Sequence, residues 1–229
     1  MAEHMRNERT IYEFMLEAGA KLECRATTVA TAISLCYRFF KKLPLAVSQI
    51  CPYTAAAACL YIAGKAEENF LKIRDVTNVC YRVLHPSEPP LEVGELYWSV
   101  REGIGRLELL VLRTLAFQVK CVHPHKFLLH YLDSLKDWLT PDFWDRRPIA
   151  STAWTILRDC YVCPDFVQAK KPQLIALACL FISLQIFGVQ IPHATEQQKK
   201  PWFQVFYSDA AKSDLVAIAT EVFTRVYEE

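Results

Sequence analysis

Thr54-Ala55-Ala56-Ala57-Ala58-Cys59-Leu60-Tyr61-Ile62-Ala63-Gly64 is small or apolar on every side of a helix. A helix without a polar face is predicted to sit inside a bundle, because alanine lets neighbouring backbones approach closely. A second stretch repeats it. Ala58-Cys59-Leu60-Tyr61-Ile62-Ala63 aligns with Ala178-Cys179-Leu180-Phe181-Ile182-Ser183 at an offset of 120 residues. The same offset lays Val29-Ala30-Thr31 on Ile149-Ala150-Ser151, and Arg38 on Arg158. Apolar composition alone produces single matches, but a shared offset predicts two copies of one helical unit. Two copies are too few for a solenoid, so two globular domains are expected.

Working outward, the remaining helices follow from periodicity. Ile11, Phe14, Met15, Ala18 and Leu22 share one face of a first helix, and Thr27 to Phe40 forms a second. Pro52 opens the buried third helix at Tyr53 to Lys65, since proline is welcome in a first turn. A fourth is expected from about Ile73 to Val83. After the proline-rich loop His85–Pro90, a long fifth helix is expected from about Val93 to Leu115. The second copy restarts at His123-Pro124, with Phe127, Leu128, Tyr131, Leu132 and Leu135 on one stripe. Ile149 to Tyr161, Leu174 to Val189, a short helix at Trp202–Phe206 and a last one from about Asp214 to Tyr227 complete five. Leu174 to Val189 is apolar nearly all round but short for a membrane span of about 20 residues, so it reads as a buried helix. The fold class is therefore all-α, in two tandem five-helix units spanning 1–118 and 119–229.

Composition narrows the chemistry. The 229 residues carry 26 Lys and Arg against 25 Asp and Glu, a net charge of +1, and the balance holds in each half. Phosphate neutralisation by a nucleic-acid binder wants a basic face, and the tally offers none. Hydrophobic residues at 52 % exclude a disordered chain. Six glycines are too few for a hairpin-rich sheet protein. The polar start Met1-Ala2-Glu3-His4-Met5-Arg6-Asn7-Glu8-Arg9 does not read as a signal peptide, and the odd count of nine cysteines fits buried free thiols. Cys160 and Cys163 have metal or redox spacing, with Cys121, His123 and His125 as conceivable further ligands. A zinc site ordinarily shows two paired clusters, so no metal or cofactor is expected here.

The residues resemble the cyclin family. The likeness rests on Leu60-Tyr61-Ile62-Ala63-Gly64-Lys65-Ala66-Glu67-Glu68, followed 43 residues after the lysine by Glu108 in Leu107-Glu108-Leu109-Leu110-Val111-Leu112. Leu115-Ala116-Phe117, His123-Pro124-His125-Lys126-Phe127-Leu128-Leu129-His130-Tyr131-Leu132 and Lys200-Pro201-Trp202-Phe203-Gln204-Val205-Phe206 extend it over nearly the whole chain. It is similar to the transcription-type branch (C, H, K, L, T), and within it to the cyclin Q subfamily, also called cyclin M.

The resemblance implies a pair of cyclin boxes and a regulatory subunit, not an enzyme. It binds a cyclin-dependent protein kinase as a heterodimer, with cyclin-dependent kinase 10 as the implied partner. Lys65 and Glu108 match residues that contact the kinase near its αC helix, with Ile62, Leu112 and Phe117 adding apolar area. Leu112 and Phe117 are equally compatible with an inner core role. Ala66 stands where many cyclins place a bulkier side chain. Glu8 and Tyr37 stand where cell-cycle cyclins pair an arginine with an aspartate beside a substrate-docking patch. About nine residues are expected before the first helix. The implied location is the nucleus, with the cytoplasm as a second one. Lys41-Lys42, Lys170-Lys171 and Lys199-Lys200 are isolated pairs without the run of an import signal. Rival readings are a paired-box DNA-binding factor of the IIB type, an enzyme using His123, His125, Asp133 or the Cys160–Cys163 pair, and a kinase-independent adaptor. No nucleic-acid or membrane partner is expected.

Overall fold

In a computed structural model, the described residues are 2–43, 49–140, 144–191 and 200–228, with side chains from residue 9 onward. The described elements are helical, and they fall into two compact units, Met1–Cys121 and Val122–Glu229. The first holds α1 (Ala2–Lys21), α2 (Ala26–Lys42), α3 (Pro52–Ala66), α4 (Ile73–Leu84) and α5 (Glu95–Thr114). The second holds α6 (His125–Trp138), α7 (Ile149–Cys160), the short α8 (Pro164–Ala169), α9 (Pro172–Ile186), α10 (Trp202–Phe206) and α11 (Lys212–Val222). A π-helical turn, Phe223–Tyr227, continues α11.

In the first unit α3 packs against α1, α2, α4 and α5. Ala55 to Leu60, Ile62, Ala63 and Gly64 are all buried. In the second unit α9 packs against α6, α7 and α11, and Ile175 to Leu180, Ile182, Ser183 and Leu184 are buried. These are the same positions, 120 residues on, and both helices begin at a proline, Pro52 and Pro172. The repetition extends to bonding needs. Ser183, which replaces Ala63, satisfies its buried hydroxyl by donating to the Ile149 carbonyl at 2.8 Å. In each unit a thiol of the central helix meets one from the helix beside it, Cys59 with Cys36 and Cys179 with Cys160. The hydrogen bond to the neighbouring thiol, and then burial, push the Cys59 and Cys160 thiols well above their ordinary pKa.

Several expectations shift. The first helix begins at Ala2, so the expected nine-residue lead is helical backbone. The last helix is regular only to Val222. The α8 turn, opened by Pro164, was not anticipated; Phe166 and Val167 anchor it in the core. Cys160 turns inward toward Cys179, whereas the Cys163 thiol contacts the Arg225 carbonyl at 3.4 Å, so the pair does not converge. Cys121 belongs to the first unit, where it receives a long contact from Arg38 at 3.9 Å. Among the described residues no group of three or more His, Cys, Asp or Glu is placed to hold a metal. No described helix is long and apolar enough to cross a membrane.

His123 and His125 lie at the start of α6, packed with Tyr161 and Trp154. His123 Nδ1 and the Tyr161 hydroxyl share a hydrogen bond of 2.8 Å. His125 is 4 % exposed and its Nδ1 meets no hydrogen-bonding group. Burial, with the His123 ring adding to it, pulls its pKa down to about 4. A base with a lowered folded pKa binds its proton more readily in the unfolded chain, so its stability contribution is intact above about 6.5 and is lost as pH falls toward 4. The second unit is expected to lose about 3 kcal/mol through this group between pH 7 and pH 4. Denaturant melts of wild type and His125→Phe across that range check this. The variant should show the shallower acid decline, and parallel curves would refute it.

Candidate functional site

The α3–α5 seam of the first unit brings two charged residues together from far apart in sequence. Lys65 is the penultimate residue of α3, where the helix dipole favours a cation. Glu108 lies in the middle of α5. Lys65 Nζ donates to Glu108 Oε1 at 2.6 Å. The lysine side chain is 53 % exposed and the glutamate 17 %. Partial burial works against the ammonium, but the Glu108 carboxylate and then the Tyr61 phenol outweigh it and raise its pKa.

The turn beyond α3 fixes the lysine's backbone. A Cβ on Gly64 would stand 2.9 Å from the Asn69 carbonyl oxygen, so only glycine lets the chain fold back this tightly. Asn69 N–H donates to the Gly64 carbonyl at 2.8 Å, and Glu68 takes a left-handed backbone, φ 53°. Asn69 Oδ1 then accepts from Arg25 N–H at 2.9 Å and from the Thr28 hydroxyl at 3.1 Å. This caps the start of α2, where Arg25 has no side-chain cap of its own. Glu67 accepts from the buried Thr31 hydroxyl at 2.7 Å. The Lys65-Ala66-Glu67-Glu68-Asn69 run thus ties the end of α3 to α2, leaving Lys65 and Ala66 outward.

The other expected contact residues divide. Phe117 is 66 % exposed and sits just past α5 with φ 58°, next to Ala116 at φ 50°. A bulky side chain in left-handed backbone is strained by about 1–2 kcal/mol, and here the turn is held by Phe117 N–H donating to the Leu112 carbonyl at 2.8 Å. Leu112 is half-buried, and Leu109 and Leu110 on the same helix are exposed. Ile62 must be corrected: at 3 % exposure it belongs to the core and offers no surface. Tyr37 is half-buried beneath Lys41, and the Glu8 side chain lies outside the described residues. Four of the paired lysines, Lys41, Lys42, Lys170 and Lys171, contact groups of their own chain. Lys42 donates to the Thr114 carbonyl, Lys170 pairs with Glu221 and Lys171 donates to Tyr207. Lys199 lies outside the described residues.

Sequence reasoning missed Asn69 and Tyr61. Asn69 carried the one available signal, an Asx residue after a Glu-Glu pair at a helix end. Tyr61 stands within an otherwise apolar run, where nothing in the residue types sets it apart.

The family model "Cyclin, N-terminal domain" matches residues 1–120. The chain belongs to the cyclin family. Its curated relatives include cyclins of the T, K and L types. Cyclin-T1-4 of Arabidopsis thaliana is 29 % identical over 223 residues, covering 94 % of this chain and 38 % of the relative. Human cyclin-K is 26 % identical over 227 residues, covering 96 % of this chain and 36 % of the relative. This cyclin therefore spans little more than a third of the length of those relatives. Among solved structures, a chain of the yeast TFIIK (Kin28/Ccl1/Tfb3) complex superposes with a TM-score of 0.65 at 19 % identity, covering 99 % of this chain and 87 % of that one.

A half-exposed ion pair contributes little to folding, commonly under about 1 kcal/mol. Lys65→Met should accordingly leave the cyclin's denaturant midpoint nearly unchanged and its helical circular dichroism intact. A loss of several kcal/mol would mark the pair as a structural clamp instead of a free surface feature.

Proposed function

We propose that this cyclin is the activating subunit of a cyclin-dependent protein serine/threonine kinase, docking the kinase αC helix on the α3–α5 ridge. One observation carries the reading: Lys65 and Glu108, 43 residues apart, meet at 2.6 Å on an accessible surface. Lys65 has N–H donors beyond the one given to Glu108, and Glu108 keeps a second carboxylate oxygen. Together they offer a donor and an acceptor to the backbone of a partner helix, and charge-assisted bonds of this kind are among the stronger ones. Phe117, Leu109 and Leu110 are exposed apolar side chains on α5 or just past its end, available as contact area. The two compact units are read as the two cyclin boxes, 1–118 and 119–229.

The work is positional. An inactive kinase holds αC outward and separates its glutamate from the β3 lysine that grips the ATP phosphates. A rigid ridge that fits the inward state better restores that pair and helps order the activation loop. Moving a 1:99 equilibrium to 99:1 takes about 5.5 kcal/mol of differential affinity, which an interface of about 2,000 Å² or more can supply. The cyclin Q likeness supports cyclin-dependent kinase 10 as the partner, a role in transcription and cell-cycle control, and action in the nucleus. The near-neutral charge favours this reading over DNA binding by a paired-box factor.

Lys65→Ala or Glu108→Ala should weaken binding to cyclin-dependent kinase 10 by about 2–5 kcal/mol and abolish stimulation of its phosphorylation of a test peptide. Titration calorimetry and a kinase assay read the two effects. Wild-type affinity and stimulation in both variants would sink the proposal.

A further inference from the structure

Lys65 is held from two sides. Glu108 takes one N–H, and on the other side the ammonium lies 4.0 Å from the centre of the Tyr61 ring. Tyr61 is one helical turn before Lys65 on α3, the spacing at which side chains stack on a common face. A ring face attracts a cation electrostatically, and more strongly once water is excluded. Lysine is otherwise a rotamer-rich side chain whose freezing on association costs affinity.

The second unit supplies an internal comparison. At the offset of 120, Phe181 stands for Tyr61 and Gln185 for Lys65. Both aromatics are half-buried at the same point of equivalent helices. The packing that the fold asks of this position is therefore met by a plain ring. At this pair of helix positions the hydroxyl and the cation occur together in the first unit and not in the second.

We propose that Tyr61 is a positioning residue of the docking ridge, holding the Lys65 ammonium beside Glu108 before the partner arrives. The inference rests on the kinase-docking reading above and deepens it. Tyr61 acts through Lys65: its ring, 4.0 Å from the ammonium, fixes the ammonium's place. The lysine then meets a partner carbonyl with its conformation already chosen.

The experiment is a double-mutant cycle on cyclin-dependent kinase 10 binding, with Tyr61→Leu and Tyr61→Phe each made in the wild-type and Lys65→Met backgrounds. Tyr61→Leu should weaken binding about 3- to 10-fold when Lys65 is present and less than about 2-fold in the Lys65→Met background. Tyr61→Phe should lose less than Tyr61→Leu, because it keeps the ring. An NMR titration of the free cyclin adds a readout that needs no partner. The Lys65 ε-methylene protons should be shifted upfield by the ring in wild type and Tyr61→Phe, and released in Tyr61→Leu with a fall in the lysine pKa. Equal losses in both backgrounds would overturn the inference, as would Lys65 signals indifferent to Tyr61→Leu. If Lys65→Met itself binds like wild type, the docking reading falls and this inference with it. If Lys65→Met weakens binding but Tyr61→Leu does not, only the role of Tyr61 is lost.

Discussion

A helix with no polar face must be walled in on all sides, and that demand organises each unit. Alanines at 55 to 58 bring the flanking backbones of α3 close, while Leu60 and Ile62 fill the space between them. In the second unit Leu177 and Leu184 take more of that space, with Ala176 and Ala178 between. Each fully buried large aliphatic side chain contributes about 1.5–3 kcal/mol. Polar groups on these helices must find partners inside, as Ser183 does with Ile149. Other elements in each unit are placed by their need to cover this helix.

The central helices were legible because their constraint is local and strong. All-round small and apolar residues admit one reading, and repetition at a fixed offset turned that reading into an architecture. Element ends were less legible. Ala2 to Arg9 has no apolar stripe, so periodicity is silent on a helix that continues outward from Ile11. The six residues of α8 are too few to establish a period, and the burial of Phe166 is a tertiary fact. The conversion from α to π winding at Phe223 has no counterpart in residue type.

The candidate site was legible in its charges and only in part in its apolar members, since Phe117 is exposed as the resemblance implies and Ile62 is not. A lysine and a glutamate reach solvent wherever they can, so their presence near helix surfaces is predictable from type alone. In a helix apolar on every side, residue type cannot say which side chain faces out. Ile62 and Tyr61 are adjacent, yet Ile62 points into the core and Tyr61 reaches toward Lys65. Phe117 depends on a backbone choice: two successive left-handed residues turn it outward, and neither Ala116 nor Phe117 advertises that conformation.

The duplication separates what folding requires from what it tolerates. Ala58, Cys59 and Leu60 recur unchanged as Ala178, Cys179 and Leu180, all fully buried. Toward the end of the same helix the copies diverge, Lys65 against Gln185 and Ala66 against Ile186. Those positions are exposed in both units, where substitutions usually alter stability by only about half a kcal/mol. The core therefore leaves the helix end free to take up a surface chemistry without loss of the fold. In the first unit that chemistry is an ammonium and a carboxylate held at hydrogen-bonding distance. In the second it is Ile186, an exposed apolar side chain at 57 %. One scaffold thus presents two unlike surfaces from equivalent helix ends, an ion pair in the first unit and an exposed isoleucine beside the Gln185 amide in the second.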